Sequence, residues 1–110
     1  MLSYIDQLLE ALKQADLYKV ILFGSYANGT PNENSDIDMV VILDNNDVAK
    51  TYDKRLEKKL YINKLVRSIN YKIALDILVY SKKEYEIVKS FGNFFDEVEN
   101  TGKIIYEKAS

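Results

Sequence analysis

Apolar and polar positions along this chain follow two different periods, which predict helices and strands in alternation. Compact apolar runs rich in Val and Ile predict four strands, over residues 19–23, 35–43, 72–80 and 103–106. Apolar positions three and four residues apart predict helices, chiefly over residues 5–12, over 48–70 and after Ser81. This interleaving indicates an α/β (α+β) fold, a small mixed β-sheet flanked by helices.

Residues with capping chemistry stand at the ends of several predicted helices. Ser3 is predicted as the N-cap of the first helix. Ser81 and Glu84 have the spacing of a capping box. Asn93 is predicted to cap a last short helix, with Gly102 just past its end. The pattern therefore marks the starts of three helices and the end of one.

The long helical segment is predicted to have one apolar side and one basic side. Its apolar side is predicted to consist of Leu56, Leu60, Leu65 and Ile69. Its other side carries six basic residues: Lys54, Arg55, Lys58, Lys59, Lys64 and Arg67. Because Asp53 and Glu57 interrupt these charges, we interpret this side as a solvated surface and expect no direct nucleic-acid binding.

Length and composition are those of an ordinary globular protein. The chain has 110 residues, of which 47% are apolar and 29% charged, so we expect one domain over residues 1–110. No apolar run approaches the roughly 18 residues that cross a bilayer. The N-terminal stretch has no basic region followed by a cleavage site. We therefore expect a cytoplasmic protein with no membrane contact.

The absence of two residue types narrows the possible chemistry. The chain contains neither cysteine nor histidine. This excludes disulfides, thiolate nucleophiles, zinc–sulfur sites and histidine-based triads. Any catalysis must therefore use carboxylates, lysines, hydroxyls, backbone N–H groups or a hard metal ion.

A pair of carboxylates lies at the mouth of the second predicted strand. Asp36 and Asp38 are two residues apart, so in a strand both side chains point to the same face, where they repel each other unless a cation joins them. The first strand ends in Gly24–Ser25, and the predicted loop 25–35 follows. Gly24 allows close backbone approach and Ser25 adds a hydroxyl, an arrangement suited to phosphate. The two aspartates are hard oxygen ligands suited to Mg²⁺.

A third acid stands in the middle of the third predicted strand. Asp76 is the one charge in the apolar run IALDILVY. In a buried strand an unpaired charge costs several kcal/mol, and metal coordination would remove that cost. An edge strand with Asp76 facing water is the alternative that the sequence leaves open.

These motifs resemble the nucleotidyltransferase superfamily that includes DNA polymerase beta. The most similar group is the minimal nucleotidyltransferases (MNT), the antitoxins of HEPN/MNT toxin–antitoxin modules. The resemblance implies that Gly24 and Ser25 bind nucleotide phosphates. It also implies that Asp36, Asp38 and Asp76 are catalytic and hold Mg²⁺, in a two-metal site, with Asp76 helping to activate the attacking hydroxyl.

The resemblance also implies a reaction and a partner. ATP would donate AMP to a hydroxyl, a tyrosine of a HEPN-domain toxin encoded nearby, and the protein would act as antitoxin. Because the chain ends once the predicted sheet is complete, we expect the partner or a homo-oligomer to bind the acceptor. A non-catalytic nucleotide-binding antitoxin that neutralises its partner by complex formation stays open, as does a small-molecule nucleotidyltransferase.

One position departs from the family's pattern. Many relatives carry Arg where this chain has Asn28, and a cation there could hold the triphosphate. Lys82 and Lys83 are the candidate replacements for that cation, but we interpret both of them as solvated lysines in the first turn of a helix.

Overall fold

The computed structural model describes residues 3–28 and 36–109, with the backbone alone for Ser25 and Asn28. The described helices are α1 (Tyr4–Leu12), α2 (Ser25–Asn28), α3 (Tyr52–Leu65), α4 (Arg67–Asn70), α5 (Lys82–Lys89) and α6 (Phe94–Thr101). The described strands are β1 (Leu17–Phe23), β2 (Ile37–Leu43), β3 (Leu75–Ser81) and β4 (Lys103–Glu107).

The strands form one mixed sheet in the order β3-β2-β1-β4. β1 pairs antiparallel with both β2 and β4, whereas β2 and β3 run parallel. The predicted fold class is confirmed: a small mixed sheet flanked by helices. β3 and β4 are its two edge strands, so β2 lies inside the sheet and β3 has one side without a strand partner among the described residues.

Apolar side chains cover both faces of the sheet. On one face the sheet packs against α1, α3 and α4, and its buried residues include Leu8, Leu12, Val20, Met39, Val41, Ile62 and Val66. On the other face it packs against α5 and α6, and the buried residues are Ile21, Val40, Ile42, Tyr85, Phe95 and Val98. Residues of β2 alternate between the two faces, as the pleat requires.

The predicted caps agree with the structure at most positions. The side chain of Ser3 accepts a hydrogen bond from the backbone N–H of Asp6. Ser81 and Glu84 form the complete capping box of α5. Asn93 occupies the N-cap position of α6, but its side chain makes no capping hydrogen bond.

The long predicted helix is shorter than expected and interrupted. Residues 48–51 are not helical; α3 begins after Thr51, whose hydroxyl accepts a hydrogen bond from the backbone N–H of Lys54. The chain then leaves helical geometry at Val66, with φ −105° and ψ 11°, before α4. The prediction of one helix over 48–70 was wrong because a local cap and a non-helical residue divide the segment.

The predicted apolar side of this helix was also wrong in part. Leu56 and Leu60 are 36% and 56% exposed, whereas Ile62 and Val66 are buried. Ile69, which was predicted correctly, is buried with them. Ile62, Val66 and Ile69 all belong to the buried cluster on the sheet face that α1, α3 and α4 cover.

The segment after β1 differs from the predicted loop at its beginning. Residues 25–28 form the one-turn helix α2, while the remainder of the predicted loop, residues 29–35, lies outside the described residues. None of the helices in the two described ranges combines the length and the apolar character needed to cross a membrane.

Candidate functional site

The three predicted acids occupy neighbouring backbone positions at one corner of the sheet. In the parallel register of β2 and β3, Asp38 is the direct partner of Asp76. Neighbouring strands lie about 4.8 Å apart, and partnered residues point to the same face. Asp36 directly precedes Ile37, where β2 begins. The predicted grouping of acids on neighbouring strands is thus present in the backbone.

The negative charges of the three acids affect the pKa of Asp38. Burial raises the pKa of the Asp38 carboxyl above its usual value, and the charges of Asp76 and Asp36 raise it further. Both neighbours act through space, because like charges disfavour the ionised form. The three carboxylates therefore form one electrostatic group that a cation would stabilise.

Gly24 lies directly against this group. Phe23, the last residue of β1, is the register partner of Asp38, and Gly24 follows it with φ +72°. A Cβ atom at position 24 would overlap Oδ2 of Asp38. Gly24 therefore allows both the left-handed backbone and the close approach to Asp38, and α2 begins at the next residue. The side chain of Ser25, the other predicted phosphate ligand, lies outside what the structure describes.

Asp76 is not buried, although the sequence argument for it as a metal ligand assumed that it would be. Asp76 is exposed on the edge strand β3, so the argument from an unpaired buried charge was wrong. The structure agrees with the alternative interpretation, in which Asp76 is an edge-strand acid that faces water. What connects Asp76 to the candidate site is its register with Asp38 and the interaction between their charges.

A hard divalent cation fits this corner by donor type and by charge. The three acids offer only carboxylate oxygens, which suit Mg²⁺, and their mutual repulsion favours a cation. Within residues 3–28 and 36–109, however, no three acidic side chains already have the arrangement needed to hold an ion. Coordination by all three therefore requires their side chains to turn toward a common point.

Lys82 and Lys83 do not lie at this corner. Both follow the last residue of β3, whereas Asp76 is near its start, so about 20 Å of strand separates them. Nζ of Lys82 is 2.9 Å from a carboxylate oxygen of Asp44, and Lys83 forms a longer contact of 3.7 Å with Glu86. These lysines therefore do not replace the Arg of relatives at this corner. The interpretation as a solvated lysine at the start of a helix agrees with Lys83, but was wrong in part for Lys82, whose side chain is half-buried and paired with Asp44.

A cavity beside Asp76 was not predicted from the sequence. It has a volume of about 430 Å³ and lies between the start of β3 and the α3–α4 segment. Its lining includes Asp76, Leu60, Lys59, Lys64 and Arg67. The three basic residues were assigned to a solvated surface because Asp53 and Glu57 interrupt the basic side in the sequence. Their position beside Asp76 depends on how α3 and α4 pack against the sheet, which the sequence does not show.

Comparison with known proteins identifies a family for most of the chain. Residues 5–75 match the family described as Nucleotidyltransferase domain, a segment that includes Gly24, Asp36 and Asp38 and ends one residue before Asp76. A protein of Methanocaldococcus jannaschii named "Putative protein adenylyltransferase MJ1305" is 31% identical over 96% of this chain and 71% of its own length. A second protein of that organism with the same description, MJ0141, is 37% identical over 78% of this chain and 76% of its own length.

Solved structures resemble the fold. The crystal structure of a toxin-antitoxin with AMP-PNP has a TM-score of 0.58 and 22% identity, over 97% of this chain and 75% of that one. A mutant of the toxin-antitoxin MntA-HpeT has a TM-score of 0.57 and 19% identity, over 98% of this chain and 75% of that one. At these identities the likeness concerns the arrangement of helices and strands.

Proposed function

The chain belongs to the nucleotidyltransferase domain family, and from that membership we propose that it transfers AMP from ATP to a hydroxyl group of a partner protein. Two relatives named as protein adenylyltransferases support a protein acceptor. The observation that carries the proposal is the register of Asp38 with Asp76. Asp38 is also close enough to Asp36 to feel its charge, and Gly24 lies directly against the Asp38 carboxylate.

Three acids would hold the metal ion that this chemistry uses. Asp36 and Asp38 would bind Mg²⁺ through carboxylate oxygens, with Asp76 as the third ligand. When bound there, Mg²⁺ would neutralise triphosphate charge and increase the electrophilicity of the α-phosphorus. The raised pKa of Asp38 supports this assignment, because a cation is what would favour its ionised form.

The chain's own groups would orient the reactants. The backbone at Gly24 lets a phosphate approach the acids, since no Cβ fills the space beside Asp38. The acceptor oxygen would form a bond to the α-phosphorus while the bond to the pyrophosphate oxygen breaks. Asp76, exposed at the edge, would take the hydroxyl proton, and pyrophosphate would leave with the electron pair.

The acceptor we propose is a tyrosine of a toxin, with this chain as the cytoplasmic antitoxin. Structures of toxin-antitoxin complexes share its fold, and one of them contains AMP-PNP. We identify the toxin with the HEPN-domain partner that the motif resemblance implies. AMP on a tyrosine adds a negative charge, which would repel the RNA backbone from a nuclease cleft.

Two measurements test the proposal. The first is calorimetry of ATP binding, with Mg²⁺ and with EDTA, for the wild type and for Asp36→Asn/Asp38→Asn. We expect binding in the wild type with Mg²⁺ and at least about tenfold weaker binding in the other three cases. The second is incubation with α-labelled ATP, Mg²⁺ and the protein encoded by the neighbouring gene, followed by mass spectrometry of the label.

The outcomes separate the candidate functions. Label on a partner tyrosine, absent with Asp36→Asn/Asp38→Asn, supports protein adenylylation. A tight, neutralising complex without label would indicate the non-catalytic antitoxin. Transfer to a small-molecule hydroxyl in place of the partner would indicate a small-molecule nucleotidyltransferase. Equal ATP affinity in all four calorimetric cases would contradict the metal site itself.

A further inference from the structure

A groove runs along the outer edge of β3, beginning at Asp76. The cavity of about 430 Å³ beside Asp76 adjoins a second one of about 200 Å³ farther along β3, and both are lined by Lys59 and Ile77. We call their union the β3-edge groove. Its walls are the edge strand β3 on one side and the α3–α4 segment on the other.

The β3-edge groove is strongly cationic. Its charged lining residues are Arg55, Lys59, Lys64, Arg67 and Asp76. In the described part of the chain, Lys59, Lys64 and Arg67 have no ion-pair partner, although Lys58 in the same helix is paired with Glu84. Cations that no internal acid neutralises attract an anionic partner and increase its rate of association.

The groove also has apolar lining and an unpaired strand edge. Leu60 is 56% exposed here, and Leu75 and Ile77 belong to the wall formed by β3. β3 pairs only with β2 among the described residues, so its outer backbone groups are available to another chain. Aliphatic side chains and free peptide groups suit a polypeptide, which can add a strand at an open sheet edge. The aromatic lining residue Tyr80 lies at the end of the groove away from Asp76, and the guanidinium of Arg55 already lies 5.9 Å from the centre of its ring.

We propose that the β3-edge groove binds an acidic segment of the acceptor protein, and that this segment brings the acceptor hydroxyl to Asp76. This inference rests on the proposed function, because it assigns a binding surface to the protein substrate of that reaction. The position of Asp76 at the end of the groove connects the two: a chain bound along the cations ends at the candidate catalytic corner. The groove thus supplies orientation that the three acids do not.

A binding experiment tests the groove without relying on catalysis. The probe is a short fluorescent peptide with one tyrosine among glutamates and leucines, compared with a peptide that has glutamine in place of glutamate. The variant is Lys64→Glu/Arg67→Glu, in which both exposed side chains are replaced. The control is Lys13→Glu/Lys83→Glu, which changes the net charge equally at side chains that are 52% and 56% exposed outside the groove.

We expect the wild type to bind the acidic peptide at least about tenfold more tightly than the glutamine peptide. Lys64→Glu/Arg67→Glu should abolish this preference, and the control should retain it. Equal binding of both peptides by the wild type would overturn the proposal. It would also be overturned if the control lost its preference for the acidic peptide as completely as Lys64→Glu/Arg67→Glu. Tighter binding of single-stranded RNA than of the acidic peptide, lost in the same variant, would assign the groove to nucleic acid instead.

Calorimetry with ATP and Mg²⁺ separates this inference from the proposed function. Lys64→Glu/Arg67→Glu should leave ATP affinity within about threefold of the wild type, because the groove serves the acceptor. A parallel loss of ATP and peptide binding would mean that these cations hold the triphosphate, and would overturn the acceptor groove. Normal peptide binding without any transfer to protein would contradict the proposed function and leave the groove standing.

Discussion

Asp38 and Asp76 are direct register partners in the parallel strands β2 and β3. Between adjacent parallel strands, partnered side chains lie side by side on one face, and two carboxylates in that position repel each other. The raised pKa of Asp38 reflects its burial and this repulsion. A fold that keeps two acids side by side in the absence of a cation has a cost, which binding of a metal ion would offset.

Replacing Asp38 should therefore stabilise the protein without metal. In EDTA at pH 7, we expect Asp38→Asn to raise the Tm, because the substitution removes a charge that Asp76 and Asp36 disfavour. Thermal unfolding followed by circular dichroism measures the shift. In excess Mg²⁺ the difference should shrink, since only the wild type gains from the ion. A lower Tm in EDTA would contradict the repulsion.

Asp76→Asn should separate binding from chemistry. We expect ATP affinity within about threefold of the wild type and a loss of at least about 100-fold in the transfer rate, the effect of removing a general base. Calorimetry and the labelled-ATP assay give the two values. Full activity of Asp76→Asn would make Asp76 only an edge-strand acid facing water.

Gly24→Ala should damage both stability and nucleotide binding. A residue with a side chain is strained at φ +72°, which costs about 1–3 kcal/mol, and the added Cβ would displace the Asp38 carboxylate. Gly92→Ala is the matched control, because a Cβ there would meet no atom within 4 Å. Urea unfolding and ATP calorimetry check both variants. Equal stability of the two would show that the conformation of Gly24 is not required.

Local patterns in the sequence predicted the local features of the site. The Asp36-x-Asp38 spacing, the Gly24 strand end and the Ser81–Glu84 capping box depend on neighbours in the chain, and the structure agrees with each. The family match over residues 5–75 confirms the resemblance that these motifs suggested. The roles of Gly24 and the three acids stay predictions, as does that of Ser25.

Features that depend on packing could not be derived in this way. Nothing near Asp76 in the chain reveals that β3 is an edge strand, because strand order is set by distant segments. For the same reason Leu60 was assigned to the core: a leucine at helical spacing has no local mark that distinguishes a groove from a buried face. For the same reason, the sequence did not show that the basic residues of this segment line a groove beside β3.

Paired substitutions in α3 test this corrected assignment of faces. Ile62→Ala should cost about 3 kcal/mol, because it removes a side chain with no exposed surface from the core. Leu60→Ala should change the free energy of unfolding by less than about 0.5 kcal/mol, since Leu60 is 56% exposed. Urea denaturation measures both. A larger decrease in the free energy of unfolding for Leu60→Ala would support the original prediction that Leu60 lies on the buried apolar side of the helix.

Glu84 should make stability depend on pH. The carboxylate is 4% exposed and accepts hydrogen bonds from Nζ of Lys58 at 2.6 Å and from the backbone N–H groups of Ser81 and Ala49 at 2.9 and 2.8 Å. Burial alone would raise the pKa of Glu84, but these hydrogen bonds outweigh it and lower the pKa. Glu84 thus connects the start of α5 to α3 and to the segment before it.

The sign of the effect follows from the lowered pKa. The stabilisation by ionised Glu84 is fully present above the ordinary value of 4.5 and is lost as the pH falls through the lower folded value. Glu84→Gln should therefore cost about 2 kcal/mol at pH 7, and the gap to the wild type should narrow below about pH 4.5. Urea unfolding from pH 7 to pH 3 measures this gap. The control, Glu86→Gln, alters a side chain 71% exposed on the same helix and should give a difference near zero at every pH; a gap for Glu84→Gln that stayed constant with pH would show that its charge does not stabilise the fold.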